Sequence, residues 1–571
     1  MSFQKIIFTL MTLTAISCGN GRPSEGTHKL NVLVTNDMHG SWFDSSYTGK
    51  SLRKSLMSAK RTVDSIRIKE GADNVLLLDA GDFLQGDNAA YYFNYVDTAG
   101  RHLFVRLAEY MKYDAVVAGN HDIETGHAVY DKVGGQLEEA GIAFLGGNAF
   151  KDNGERYFPY YKIFRRAGLK VAVLGYSNPN MAAWLDESLW SGMSFRSLIP
   201  LVQEDVYKVR EKEKPDVVIV AAHSGTGDGK GESLESQGLE LFNTLEGVDL
   251  LFTSHDHRPL VRNDSSMALL NSGSHCRYLS YGKVKVEIKG GKAVSRKVEA
   301  KLLPLSARNA DTVMRKKFEP DFQAVKAFTL KEIGVLDESI LTRDAFKGWN
   351  TYVSLLHKVA LDLPEVDVSF AAPLSYNETI AEGKLIYDDL FKLYPFENQL
   401  FTMKLTGRQI KDYLELSYDR WLAPANSGHF LNIESKGSGD WVFKERSYNF
   451  DSAGGLRYEV DTDKGKGERV RIISFAGGKA FSEDSTYVVA MTSYRANGGG
   501  DLLLEGAGVV PAEAEIAGRH PEIRIMLYDY IKERGGLRAK EFADTSTVGY
   551  WEFAPESKRK MLEKDFSLLF P

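Results

Sequence analysis

The chain has very little cysteine: Cys18 and Cys276 are the two in 571 residues. So few thiols argue against both a disulfide framework and a thiolate-bound structural zinc. There is no excess of positive charge either, since 71 Lys and Arg face 77 Asp and Glu for a net of −6. That balance gives no broad electrostatic case for a nucleic-acid polymer as partner. Long apolar runs are missing as well. The longest candidate, Ile6 to Ile16, falls short of the roughly 20 residues a membrane-spanning helix needs. What is present is ordinary for a folded protein, 43% hydrophobic and 26% charged residues, in a chain too long for one core.

The N-terminal segment places Lys5 before that short apolar run and Ser17-Cys18-Gly19 after it. This resembles a bacterial lipoprotein signal in which Cys18 becomes the lipidated first residue. It implies an extracytoplasmic protein, periplasmic or associated with the outer membrane, anchored through Cys18. The alternative is a plain secretory signal cut nearby. Residues 1–18 are then the signal and the polar, Gly- and Pro-bearing 19–28 a flexible tether. No segment points to a protein partner.

From Lys29 onward, strand-like runs end repeatedly in metal-binding residue types. Leu30 to Thr35 runs into Asn36-Asp37-Met38-His39-Gly40, and Val75 to Ala80 into Gly81-Asp82. Ala115 to Ala118 runs into Gly119-Asn120-His121-Asp122, Val217 to Ala222 into His223, and Leu250 to Ser254 into His255-Asp256-His257. Apolar runs of this kind suit strands covered on both faces, and ligands of α/β sheets gather at strand exits. Helices are predicted over Leu52–Lys69 with Ser51 as cap, and over Leu103–Met111, Val129–Ala140 and Leu198–Lys214. Any one cluster alone reads as a polar turn. Together they place five of the chain's 12 histidines at strand ends. Asp, Asn and His without thiolates suit a pair of divalent ions, of which Zn, Mn, Co and Fe all fit the donors. Two such ions roughly 3.5–4 Å apart are the apparatus for in-line displacement at phosphorus.

As a set, NDMHG, GD, GNHD, the His after IVAA, and SHDH resemble the five motifs of the calcineurin-like metallophosphoesterases. Within them the chain is similar to the bacterial family of 5'-nucleotidases and 2',3'-cyclic-nucleotide 2'-phosphodiesterases, from about Lys29 to about residue 510. The resemblance implies an α/β (α+β) protein with a four-layer α/β/β/α catalytic sandwich over 29–305. A linker helix over 306–332 and an α/β nucleotide-binding domain over 333–571 would follow. It also implies two metal ions, with Asp37, His39 and His257 on one, Asn120, His223 and His255 on the other, and Asp82 between them. A hydroxide between the ions would attack phosphorus, and His121 would stabilise the transition state or protonate the leaving oxygen. The carboxylate that orients His121 in the family is an Asp four residues after the Asn. Here Glu124 stands in that place, with Asp122 as the alternative.

The second domain carries two further resemblances. Tyr394-Pro395-Phe396-Glu397-Asn398 is similar to the 5'-nucleotidase segment whose Phe stacks on the base and whose Asn bonds it. Ser493-Tyr494-Arg495-Ala496-Asn497-Gly498-Gly499-Gly500-Asp501 is similar to the segment with the second stacking aromatic. Phe396, Asn398, Tyr494, Asn497 and Asp501 are the residues these imply for the substrate. Where the family's phosphate-pairing Arg would stand, this chain has Asn377. SFAAPL and GDFLQGD look like the cyclic-phosphodiesterase branch, PFEN like the other. The expectation is a two-metal phosphoesterase for nucleotides. Its rivals are a phosphoesterase or pyrophosphatase for a nucleotide sugar or another phosphate ester, and a surface nucleotide-binding lipoprotein without catalysis.

Overall fold

In the computed structural model the strand Gly26–Thr35 runs antiparallel to Tyr278–Lys289 and parallel to Val75–Asp79. Described are residues 23–571 apart from 50, 231–232, 265, 425–426 and 438, so the signal segment 1–18 with Cys18 lies outside the described residues. The stretch expected to be a tether is paired from Gly26 onward, because Gly26, Thr27 and His28 sit in register with Ile288, Glu287 and Val286.

Two six-stranded sheets build the N-terminal half. The first orders Lys292–Pro304, Tyr278–Lys289, Gly26–Thr35, Val75–Asp79, Ala115–Val117 and Ala143–Leu145. The second orders Leu260–Asn263, Ala268–Asn271, Leu250–Phe252, Val217–Ala222, Leu169–Tyr176 and Tyr161–Arg166. Val32, Val34, Leu76 and Val117 of the first share a buried cluster with Val171, Val173, Ile219 and Phe252 of the second. On the outer face of the first sheet, Leu33 and Leu77 meet side chains of the helices Leu56–Glu70, Leu103–Met111 and His127–Glu139. On the second, Leu174, Val218 and Leu251 meet the helix Leu198–Glu213. The order is therefore α/β/β/α, and it explains the uninterrupted apolar runs: both faces of these strands are covered. The long hairpin 278–304 turns on Gly290 and Gly291 at φ 60° and 69°, the positive pair that a two-residue type I′ turn requires.

Two local expectations shift. The helix predicted from Leu52 starts at Leu56. Arg53 donates to the Phe43 carbonyl (2.9 Å) and Asp87 (2.5 Å), which holds residues 52–54 out of the helix. The linker is two helices rather than one, Thr312–Lys317 and Glu319–Thr329. Pro320 sits in the first turn of the second, where its missing N–H leaves no bond unmade. Asp321 in that turn accepts a two-pronged bond from Arg106 of the catalytic sandwich at 2.7 and 2.9 Å.

The C-terminal half centres on a five-stranded sheet ordered Ser452–Gly454, Val368–Ala371, Thr486–Thr492, Gln399–Thr406 and Ile516–Glu522. Gly407–Trp421 packs Ile410, Tyr413 and Leu414 into the same cluster as Val368 and Met403. The motif-free tail is structural. Tyr550–Ala554 pairs with Leu456–Asp461, and Arg559–Leu569 buries Leu562 while Asp565 accepts from the backbone of Phe430 and Leu431 at 2.6 and 3.0 Å. No described helix is long and apolar enough to cross a membrane.

The helix after Thr406 opens with a reciprocal cap: Thr406 Oγ1 accepts from Gln409 N (3.2 Å), and Gln409 Oε1 accepts from Thr406 N (2.8 Å). Thr406→Ala is expected to destabilise this half by about 1 kcal/mol, and Thr406→Ser much less, as read from urea unfolding.

Candidate active site

Asp37, His39, Asp82, His255 and His257 all hold left-handed backbone, with φ of 45°, 45°, 61°, 71° and 58°. For residues other than glycine each such conformation costs on the order of 1–3 kcal/mol and persists only when its surroundings enforce it. The enforcement is visible. Asp37 N donates to the Gly81 carbonyl and His39 N to the Asp82 carbonyl, both at 2.9 Å. His255 N donates to both oxygens of Asp37 at 3.0 Å. Two glycines leave no room for anything larger. A Cβ on Gly119 would stand 2.2 Å from Asp82 Oδ1, and one on Gly81 2.5 Å from His223 Nδ1.

The side chains converge as two groups. Asp37, His39 and His257 offer ligand atoms within 4.8 Å of one another, and so do Asp82, His223 and His255. His39 Nε2 and His257 Nε2 are 2.9 Å apart. Burial holds His39 well below its usual value and His257 near 4, so these are neutral imidazoles pointing nitrogen at nitrogen. In the second group Asn120 Oδ1 stands 3.0 Å from His223 Nε2 and 2.9 Å from His255 Nδ1, and Asp82 Oδ2 is 3.1 Å from His223 Nε2. Burial takes His255 to about 3. It opposes charge on His223 as well, but Asp82 and Asp37 lift that group to about 9. Imidazole nitrogens, an amide oxygen and carboxylates converging at these distances are the donor set that divalent cations satisfy.

Outer contacts fix the orientations. His223 Nδ1 donates to the Ala80 carbonyl at 2.8 Å, which leaves Nε2 for the site. Asn36 donates to Asp37 Oδ2 at 2.6 Å and to the Gly273 carbonyl at 2.7 Å. Arg277 holds the His257 carbonyl at 2.8 Å.

His121 stands beside the two groups, its ring 5.3 Å from that of His39. Its Nδ1 is 2.5 Å from Glu124 Oε2. Burial works against a charge here, yet Asp82 and Glu124 raise the group to about 10, which favours the protonated ring. Asp122 is occupied elsewhere: it accepts from the backbone N–H of Asp82, Phe83 and Leu84 at 2.9 Å and of Gly119 at 2.8 Å. Of the two carboxylates, Glu124 is the one on His121.

A cleft of about 1660 Å³ lies between the two halves. Asn120, His121, Glu124, His255 and His257 line one side; Phe396, Asn398, Tyr494, Asn497 and Asp501 line the other. Asn398 is held by the Tyr394 hydroxyl at 3.1 Å, and Asn497 Nδ2 is buried without a partner. Tyr494 lies on Gly499, where a Cβ would stand 2.4 Å from the ring. Asp501 is exposed at the rim. Asn377 is exposed and does not line the cleft. The halves also touch directly, Asn88 to Asp388 at 2.7 Å, Arg519 to Asp186 at 3.0 Å and Tyr95 to Glu397 at 3.3 Å.

Four cleft residues were missed from sequence. Trp184 stacks on His255, ring centres 5.1 Å apart, from a loop with no periodic signal. Tyr448 and Arg446 sit in an irregular stretch between strands. Arg258 had the one usable signal, directly following the SHDH motif.

Comparison with known proteins gives this geometry a class. Residues 30–259 match the family model described as calcineurin-like phosphoesterase, and 332–505 the one described as 5'-nucleotidase, C-terminal domain. The chain is 24% identical over 92% of its length to the trifunctional nucleotide phosphoesterase protein YfkN of Bacillus subtilis, of which it spans 39%. It is 23% identical to the 5'-nucleotidase of Vibrio vulnificus, over 92% of this chain and 94% of that one. The fold is shared with the crystal structure of a candidate 5'-nucleotidase from Staphylococcus aureus, at TM-score 0.76 and 19% identity over 92% of this chain and 99% of that one. The protein is a metal-dependent phosphoric ester hydrolase of the calcineurin-like class, which works with two divalent ions. With its C-terminal half, it belongs to the family of bacterial 5'-nucleotidases and 2',3'-cyclic-nucleotide 2'-phosphodiesterases.

Gly119→Ala and Gly81→Ala would push Asp82 and His223 out of place. Each is expected to bind less than two equivalents of Mn or Zn by elemental analysis while keeping its far-UV circular dichroism. Full loading in both would show that the ligand atoms move independently of these glycines.

Proposed function

We propose that this enzyme hydrolyses nucleotides outside the cytoplasm, as a 5'-nucleotidase, a 2',3'-cyclic-nucleotide 2'-phosphodiesterase, or both. The observation that carries the reading is the shared cleft. Both metal-ligating groups and the aromatic loops of the C-terminal half open into one cavity. Asp37, His39 and His257 would hold one ion and Asn120, His223 and His255 the other, with the Asp82 carboxylate serving the pair. The ions supply a water deprotonated at neutral pH and positive charge at the phosphoryl oxygens. Phe396 and Tyr494 offer flat apolar faces to a base, with stacking on the order of 1–3 kcal/mol each by analogy with single-stranded nucleic-acid binders. Asn398 and Asn497 offer amides to its edge, and Asp501 a carboxylate to the ribose hydroxyls. His121, held by Glu124, gives a proton to the leaving oxygen. A nucleotide sugar is the second reading. The cleft exceeds the roughly 300–1,000 Å³ of ordinary small-ligand sites, leaving space for a second group on the phosphate. The lipoprotein-type residues around Cys18 support the location and the lipid anchor.

Release of phosphate or nucleoside from 5'-AMP, 2',3'-cyclic AMP, 3'-AMP and UDP-glucose, with Mn or Zn and with chelator, tests the reading. Chelator-sensitive turnover of at least one nucleotide is expected. His121→Ala should lower kcat by about 10²–10⁴ with metal content unchanged, and Glu124→Gln should lower it less. Metal-loaded protein that turns over no nucleotide would sink the proposal. Cys18→Ser should move the protein from the membrane fraction to the soluble one.

A further inference from the structure

Three arginines line the cleft, Arg258, Arg446 and Arg495, and they are not equivalent. Arg495 is buried and spent on structure. It pairs with Asp451 at 2.7 Å and donates to Asn449 Oδ1 (2.9 Å), the Gly499 carbonyl (2.9 Å) and the Tyr448 carbonyl (2.6 Å). Those bonds bolt the turn 446–449 to the loop that carries Tyr494 and Asn497. Arg446 caps that turn, its carbonyl accepting from Asn449 N at 2.9 Å. Its guanidinium stands over the Tyr448 ring at 5.9 Å, and among the described residues no carboxylate lies within ion-pair distance. Glu235 of the catalytic half lines the same cleft. Burial raises that carboxyl and Arg446 draws it back down. Arg446 lines the one cavity that holds both the Tyr494 loop and the metal-site histidines His255 and His257. No side chain at Asn377 reaches the cleft to do the same work.

We propose that Arg446 recognises the phosphate charge of the substrate from the C-terminal side of the cleft, with its turn held in place by Arg495. This rests on the nucleotide reading above. A guanidinium meets two phosphate oxygens with a pair of parallel N–H bonds, which an ammonium cannot reproduce.

The test compares ligands with and without phosphate on Arg446→Gln, Arg446→Lys and Arg258→Gln. KM is measured for 5'-AMP, or for whichever nucleotide the wild type turns over, and Ki for adenosine as competitor. Arg446→Gln is expected to raise KM about tenfold, with adenosine Ki changed less than twofold and both metal equivalents retained. Arg446→Lys should recover only part of the loss. Equal weakening of nucleotide and adenosine would mean that Arg446 merely supports the platform and would overturn the proposal. So would an unchanged KM, or a loss that follows Arg258 instead. Failure of the nucleotide reading shows separately, as wild-type protein that hydrolyses p-nitrophenyl phosphate but no nucleotide.

Discussion

One buried carboxylate ties the site together without facing the chemistry. Asp122 accepts four backbone N–H groups, three from residues 82–84 and one from Gly119. It thereby locks the loop after Val75–Asp79 to the loop after Ala115–Val117. Asp82 and Asn120 keep their relative positions through it, and Asp82 Oδ1 in turn accepts from His121 N at 2.9 Å. Remove the clamp and the shared carboxylate, one ligand of the second ion and the proton donor all lose their common reference. Burial, with Asp82 close by, pushes Asp122 to about 6, and the four N–H bonds hold it down from going higher. The anion is tolerated because those four dipoles take the place of water.

The catalytic half was legible because its chemistry is local in sequence. Asp37 and His39, like His255 and His257, follow within a few residues of an apolar run that marks the strand before them. The choice between Glu124 and Asp122 was not legible. It depends on where a carboxylate at the same turn finds donors, and the donors for Asp122 come from a loop some forty residues earlier. The start of the helix at Leu56 was misread for a similar reason: Arg53 obeys Phe43 and Asp87 rather than its own helix propensity. The linker breaks at Phe318, and Pro320 serves as a first-turn residue of the helix that follows. Tyr448, Arg446 and Trp184 join the cleft only once two halves meet, and no spacing along the chain encodes that meeting.

The C-terminal half joins binding to architecture through Arg495. Its segment looked like a substrate loop, and part of it is one. Yet the arginine at its centre is buried against Asp451, and its bonds to Tyr448, Asn449 and Gly499 turn two separate loops into one surface. A buried ion pair of this kind is weak evidence of stability; here it sets the relative position of two aromatic rings. The halves meet through three polar side-chain bonds and through Tyr91 of the catalytic half, which packs against Tyr387 and Phe391 under the Arg524 guanidinium.

The left-handed backbone at Asp37, His39, Asp82, His255 and His257 has a kinetic meaning. These loops are already bonded to one another, so an arriving ion finds its donors in place and little conformational entropy is lost on binding. Loading is then governed by how readily the ion sheds its own water, not by how fast the protein can wrap around it. Ions that exchange water rapidly, such as Mn, would load a frame of this kind quickly, and once seated they would be released slowly.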